Sequence, residues 1–165
     1  MATTATISQV GEFPLITSMV DDLTMGQAVA LGPGDDSAVF QVDGSAVVST
    51  DVLVEEVHFR RRWSTATDVG RKAVAVNVSD IEAMGAVPVA LVVGFSAPGD
   101  LPASWAREFM AGMAAESQKA GVSVVGGDTT GGPVVSIAVT VIGQTAGMAP
   151  VRRDGAVPGD EVAVI

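Results

Sequence analysis

An α/β or α+β sandwich built on a mixed sheet is the fold class that this 165-residue sequence predicts. Three observations carry that reading. Apolar runs of strand length alternate with stretches whose apolar residues recur at helical spacing. The strand-type runs come in pairs with helices between them, which is not an orderly βαβ wind. The chain is also 48% hydrophobic with a mean hydropathy of +0.44, drawn mostly from Ala and Val. A domain of this size buries only about two-thirds of its unfolded surface. The surplus is expected at a subunit or domain interface.

The elements follow in order. Glu12 to Leu23 places apolar residues at 13, 15, 16, 19, 20 and 23, one face of a helix, with Pro14 tolerated in its first turn. Ser37 to Val42 and Ala46 to Val54 read as two strands joined through Asp43-Gly44, a strong hairpin signal. Asp68 to Met84 is helical, ends at Gly85 and is apolar most of the way round, so it is expected to be buried. Val87 to Ala97 is a strand. Pro102 to Ala120 is a helix closed by Gly121. Val122 to Val125 is a short strand running into Gly126-Gly127, and Val134 to Gly143 is a long one. Pro158-Gly159-Asp160 is a turn into a strand-like Glu161 to Ile165, where the sequence stops; a second domain is expected beyond it.

Composition excludes whole classes of chemistry. With 19 acidic against 9 basic residues the formal charge is −10, and the one basic cluster, Arg60-Arg61-Arg62, is too short for a phosphate-backbone face. No nucleic-acid partner is expected. There is no cysteine and one histidine, so thiolate sites and histidine-rich transition-metal sites are out. A metal held within this chain should be a hard cation on oxygen ligands. The N-terminus lacks the pattern of a signal peptide, and the longest apolar run, Ala86 to Phe95, is about half a membrane span. A cytoplasmic protein with no membrane partner is expected. Walker, GxSxG, HExxH and kinase HRD or DFG motifs are absent, and Gly32-Pro-Gly34 only begins like GxGxxG.

What remains is a set of aspartates in unusual places. Asp35 and Asp36 open a strand in GPGDDSAVF. Asp51 lies within the strand pattern AVVSTDVLV, where Asp is disfavoured. Asp80 lies in the helix expected to be buried, and Asp128 stands at a glycine loop in VVGGDTTGG. Each has an ordinary reading: turn residue, exposed strand edge, solvated helix face, chain cap. Taken together, buried carboxylates without nearby cations would repel unless a metal filled the space between them. Ser49, Thr50 and Ser79 could add neutral oxygens. His58 alone reads as a surface or packing histidine, and Arg153 as a solvated charge.

GPGDDSAVF, STDVLVEEVHF, GRKAVAVNVSDIEAMGA, GGDTTGGP and APVRRDGAVPGD, in this order and spacing, resemble the N-terminal half of thiamine-monophosphate kinases. These enzymes belong to the superfamily of aminoimidazole ribonucleotide synthetase, selenophosphate synthetase and a hydrogenase maturation factor. The likeness runs from about Gly11 to the end. It implies direct transfer of the ATP γ-phosphoryl group to thiamine monophosphate, with several Mg2+ ions bridging the phosphates; the alternatives are a hydrogenase maturation carbamoyl dehydratase-type member of the same superfamily and a non-catalytic, metal-stabilised dimerisation module. Carried over by motif, Asp36, Ser49, Thr50, Asp51, Asp80 and Asp128 are metal ligands, and no residue is assigned as acid or base. Gly127, Asp128 and Arg153 meet ATP, and His58 falls on the substrate-contacting position. The resemblance further implies a four-stranded mixed sheet with helices on one face, pairing with a second copy into a barrel across a homodimer. It divides the chain into a flexible segment 1–10, an ATP- and Mg2+-binding dimerisation domain 11–150, and the start of a further domain at 151–165. Gly131 stands where some relatives carry Arg, which weakens one phosphate contact, and the fragment is expected to turn over poorly alone.

Overall fold

The computed structural model describes residues 5–163. In chain order the elements are α1 (Ile7–Val10), α2 (Glu12–Val20), β1 (Val29–Leu31), β2 (Val39–Phe40), β3 (Ala46–Val54), α3 (Ala66–Ala83), β4 (Val87–Ala97), α4 (Ala103–Ala120), β5 (Ser123–Gly131) and β6 (Ser136–Gln144). Four strands form one mixed sheet in the order β3-β6-β4-β5. β6 runs antiparallel to both β3 and β4, while β4 and β5 are parallel. A parallel pair needs a long crossover, and α4 supplies it.

Helices α3 and α4 pack on one face of this sheet and on each other. Alternate strand residues point into that interface: Leu91, Val93 and Phe95 on β4, with Ile137, Val139 and Val141 on β6, are all buried. Phe95, Phe109 and Trp105 stack there, with the Trp105 and Phe109 ring centres 5.8 Å apart. Each buried Phe contributes about 2 kcal/mol through the water it sheds. The two helices touch backbone to backbone. A Cβ on Gly70 would stand 2.1 Å from the Phe109 carbonyl oxygen, and one on Gly112 would stand 2.2 Å from that of Thr67.

The start of α3 is fixed locally. Thr65 is its N-cap, accepting from the Asp68 N–H, while the Asp68 carboxylate accepts from the Thr65 N–H and hydroxyl. Those bonds hold the Asp68 carboxyl below its usual pKa, with Arg71 adding a smaller effect. The helix ends as the sequence implied, with Gly85 at φ 68°. Burial is confined to one face, however: Ala73, Val74, Asn77, Val78 and Ile81 are inside, whereas Ser79 and Asp80 are exposed.

The Asp43-Gly44 hairpin does not form. β2 pairs with β1 and β3 pairs with β6. The turn is real, but its bonds run to the far end of β6. The Asp43 N–H donates to Gln144 Oε1, the Ser45 N–H to Thr145 Oγ1, and the Ala146 N–H to the Asp43 carbonyl. β5 also extends through the glycine stretch to Gly131 instead of stopping at Val125. At the C-terminus Glu161, Val162 and Ala163 are exposed and irregular, not a strand, and the remainder of the 161–165 segment lies outside the described residues. Within the segment read as a flexible lead, α1 is docked: the Ile7 and Ser8 N–H groups donate to the carbonyls of Leu101 and Gly99.

The second face of the sheet is largely uncovered. Its rows are Val48–Ile142–Ala90, Thr50–Thr140–Val92 and Val52–Ala138–Gly94. Val48 and Val52 are 61% and 45% exposed, far too much for apolar β-branched residues in the middle of a strand. The β1–β2 ribbon covers only one end, where Ala28, Val29, Ala38 and Phe40 pack on Ala90 and Val125.

Candidate functional site

The sequence-predicted residues fall into two groups at opposite edges of the sheet. The first lies where the edge strand β3 meets α3. Ser49 and Asp51 share the helix-side face of β3, and the Ser49 hydroxyl donates to Asp80 Oδ2 at 2.8 Å. This is an oxygen-only set of two carboxylates and a hydroxyl. Thr50 does not join it. Strand alternation sends its side chain to the open face, where its hydroxyl donates to the Val139 carbonyl and accepts from Thr140.

The second group lines a cleft of about 690 Å³ at the β5 edge. Asp36, Gly127 and Asp128 all border it, between α2 and the 33–38 loop. Asp35 keeps the role its sequence setting suggested. Its Oδ1 accepts from the Asp36 N–H at 2.8 Å and so shapes the turn that presents Asp36. Gly127 is required by close approach, since a Cβ there would stand 2.0 Å from the Val93 carbonyl oxygen on β4.

The register measures the gap between the two groups. Asp51 pairs with Val139, Val139 with Val93, and Val93 with Gly127. Three strand spacings separate the ends of that row, about 14 Å. Asp128 belongs to the next row, with Gly94, Ala138 and Val52, and so leaves the sheet on the opposite face from Asp51. Among the described residues no three acidic or histidine side chains converge on a single metal position. All four aspartates are exposed in the single chain. The burial penalty that the sequence pattern suggested is therefore not present within one chain.

His58 and Arg153 flank the first group. β3 and α3 run in opposite directions, so Ser49 lies by Asp80 while the far end of β3 lies by Lys72; there His58 sits in the loop after β3. The segment carrying Arg153 is tethered to the other end of α3, where the Val151 N–H donates to the Met84 carbonyl at 2.8 Å. Lys72 itself was not legible as a site residue, because a lysine on an amphipathic helix carries no distinguishing signal.

Known proteins can be set beside this geometry. Residues 34–145 match the family model described as AIR synthase related protein, N-terminal domain. A thiamine-monophosphate kinase of Mycobacterium tuberculosis (strain ATCC 25618 / H37Rv) is 48% identical over 161 residues, covering 97% of this chain and 48% of the relative. A solved structure described as AaThiL complexed with AMPPCP and TMP has 29% identity and a TM-score of 0.58, over 86% of this chain and 44% of that one. A hydrogenase maturation protein HypE has 27% identity and a TM-score of 0.71, over 86% of this chain and 43% of that one. The chain thus spans about half the length of the relatives it matches. The two structural likenesses do not separate kinase from maturation factor, whereas the 48% identity favours the kinases. The chain belongs to the AIR synthase related protein family, as an N-terminal domain of that family.

Proposed function

We propose that this chain is the nucleotide- and metal-handling half of a thiamine-monophosphate kinase, transferring the γ-phosphoryl group of ATP to thiamine monophosphate in the cytoplasm. The observation that carries the reading is the 48% identity to such a kinase across 97% of the chain. In this reading residues 11–150 form the working domain and 151–165 lead into a second one that completes the substrate pocket.

The donor set suits Mg2+. The candidate ligands Asp36, Ser49, Asp51, Asp80 and Asp128 offer only oxygens, as a hard cation requires, with the Thr50 carbonyl as a further donor. Bound there, Mg2+ supplies neutralisation of phosphate charge in a protein of formal charge −10. The residues do the rest. Gly127 lets phosphate approach the main chain of β5, Arg153 adds a cation near the Asp80 end of α3, and His58 contacts the substrate. Poor turnover by the isolated chain follows, since half of the pocket lies elsewhere.

The two acidic walls meet, in this proposal, across a homodimer. Packing the open face on that of a second copy covers Val48, Val52 and Val92 and closes two four-stranded sheets into a barrel. The β3 edge of one protomer then comes to the β5 edge of its partner. Each site takes Asp51 and Asp80 from one chain and Asp36 and Asp128 from the other.

The direct test is phosphate transfer. Residues 1–165 joined to the second half of the M. tuberculosis kinase, given ATP, Mg2+ and thiamine monophosphate, should form thiamine diphosphate. A folded chimera that binds ATP yet leaves thiamine monophosphate untouched would sink the substrate assignment. Failure to bind ATP with Mg2+ would leave a non-catalytic dimerisation module.

A further inference from the structure

The loop after β3 fixes His58 on nearly every polar atom it has. Its N–H donates to the Val54 carbonyl at 2.8 Å. Its carbonyl accepts from Lys72 Nζ at 2.7 Å. Its ring Nδ1 lies 3.1 Å from the Val54 N–H. A main-chain N–H can only donate, so Nδ1 is the acceptor and the ring proton of the neutral imidazole is on Nε2. One polar atom is left free on an exposed ring, and it is a donor.

The loop holds this arrangement against its own backbone preference. Glu56 sits at φ 65°, a left-handed conformation that disfavours a non-glycine residue. The Glu56 N–H donates to the Phe59 carbonyl, the Val57 N–H donates to the Val54 carbonyl, and Glu55 and Glu56 pair with Arg60, Arg61 and Arg62. Those contacts all lie within residues 54–62. Lys72 is different: it reaches from α3, and among the described residues it has no carboxylate within ion-pair distance. Its ammonium ties the loop to the helix that carries Asp80.

We propose that Lys72 is a positioning residue for the substrate histidine. Its bond to the His58 carbonyl holds the loop so that the ring presents Nε2–H toward a hydrogen-bond acceptor on the substrate. This deepens the kinase reading and rests on it for the identity of that substrate, thiamine monophosphate.

The chain has one histidine, so its ring gives a single, self-assigned set of nitrogen signals. Long-range 1H–15N correlation on the 165-residue chain near neutral pH should show Nε2 protonated and Nδ1 bare. Lys72→Met should shift the pattern toward the averaged tautomers of a free imidazole, and Lys72→Arg should restore it. Lys72→Gln, uncharged and tolerant of a helix, is the second variant should the first lose its fold by circular dichroism. In the chimeric kinase, loss of the clamp should raise KM for thiamine monophosphate roughly tenfold, the scale of one lost charge-assisted hydrogen bond, with kcat and the KM for ATP within about twofold. A ring proton on Nδ1 in the unaltered chain overturns the proposal. So does a Lys72→Met variant that keeps both the tautomer and the substrate KM. If the chimera phosphorylates no thiamine monophosphate, the kinase reading fails while the nitrogen spectra still decide whether Lys72 sets the ring.

Discussion

Asp51→Asn and Asp128→Asn, each expected to abolish Mg2+-dependent nucleotide binding alone, should complement one another when the two variants share a dimer. The reasoning starts from the sheet. Asp51 and Gly127 close the ends of one cross-strand row, about 14 Å apart. Ligand oxygens on opposite sides of one Mg2+ stand only about 4 Å apart. Two aspartate side chains reaching toward each other from the ends of that row do not close so wide a gap. On the dimer proposed above, a single ion held by both aspartates would draw them from two chains. In a mixed dimer one site then receives both altered residues and the other receives neither. Random exchange makes about half the dimers mixed, each with one of two sites intact, so about one quarter of the binding capacity should return. Calorimetry with a non-hydrolysable ATP analogue and Mg2+ measures it, with native mass spectrometry counting mixed dimers. Mixed dimers that form yet bind nothing would refute the shared site.

The remaining predictions concern the fold and its open face. Val48→Asp, placing a charge on the exposed apolar row, should shift the chain from dimer to monomer in sedimentation while leaving its helical circular dichroism unchanged. Gly112→Ala drives a Cβ to 2.2 Å from the Thr67 carbonyl oxygen; it should lower stability by about 1–3 kcal/mol in chemical denaturation. Thr65→Ala removes the N-cap of α3 and should cost about 1 kcal/mol by the same measurement. The Asp68 carboxyl is held below its ordinary value of about 3.8 by its bonds to Thr65. Its contribution is thus complete above that value and is lost as pH falls through the lower folded value. Asp68→Asn should have a lower Tm than the unaltered chain at pH 7, and the difference should shrink as the pH is taken below 4.

Several elements were legible because their causes are local. The stop of α3 at Gly85 and that of α4 at Gly121 were read correctly, since each glycine adopts a left-handed conformation that other residues avoid. β3 and β4 were read to their observed bounds from apolar runs of β-branched residues. The Asp43-Gly44 hairpin failed for a different reason. A turn signal fixes where the chain bends and not which strand receives it; here β6, some ninety residues on, offered the longer antiparallel ladder. The extension of β5 through GGDTTG was hidden because glycines weaken strand propensity, whereas the parallel edge of β4 supplied the ladder.

The candidate site divides in the same way. The residue types alone narrowed its chemistry: with no cysteine, one histidine and many carboxylates, a metal held within the chain is expected to be a hard cation on oxygen donors. The apolar surplus led to the expectation of a subunit or domain interface, and the structure leaves Val48 and Val52 exposed on one sheet face. The tertiary structure decided how the donors are arranged. Strand alternation turned the Thr50 hydroxyl away from its neighbours, and sheet order put Asp51 and Asp128 on opposite edges. A fold of the helix against β3 brought Lys72 to the His58 carbonyl. Residue identity sets what a side chain can bind, but which side chains meet depends on register and strand order, and those are fixed by contacts far apart in the chain.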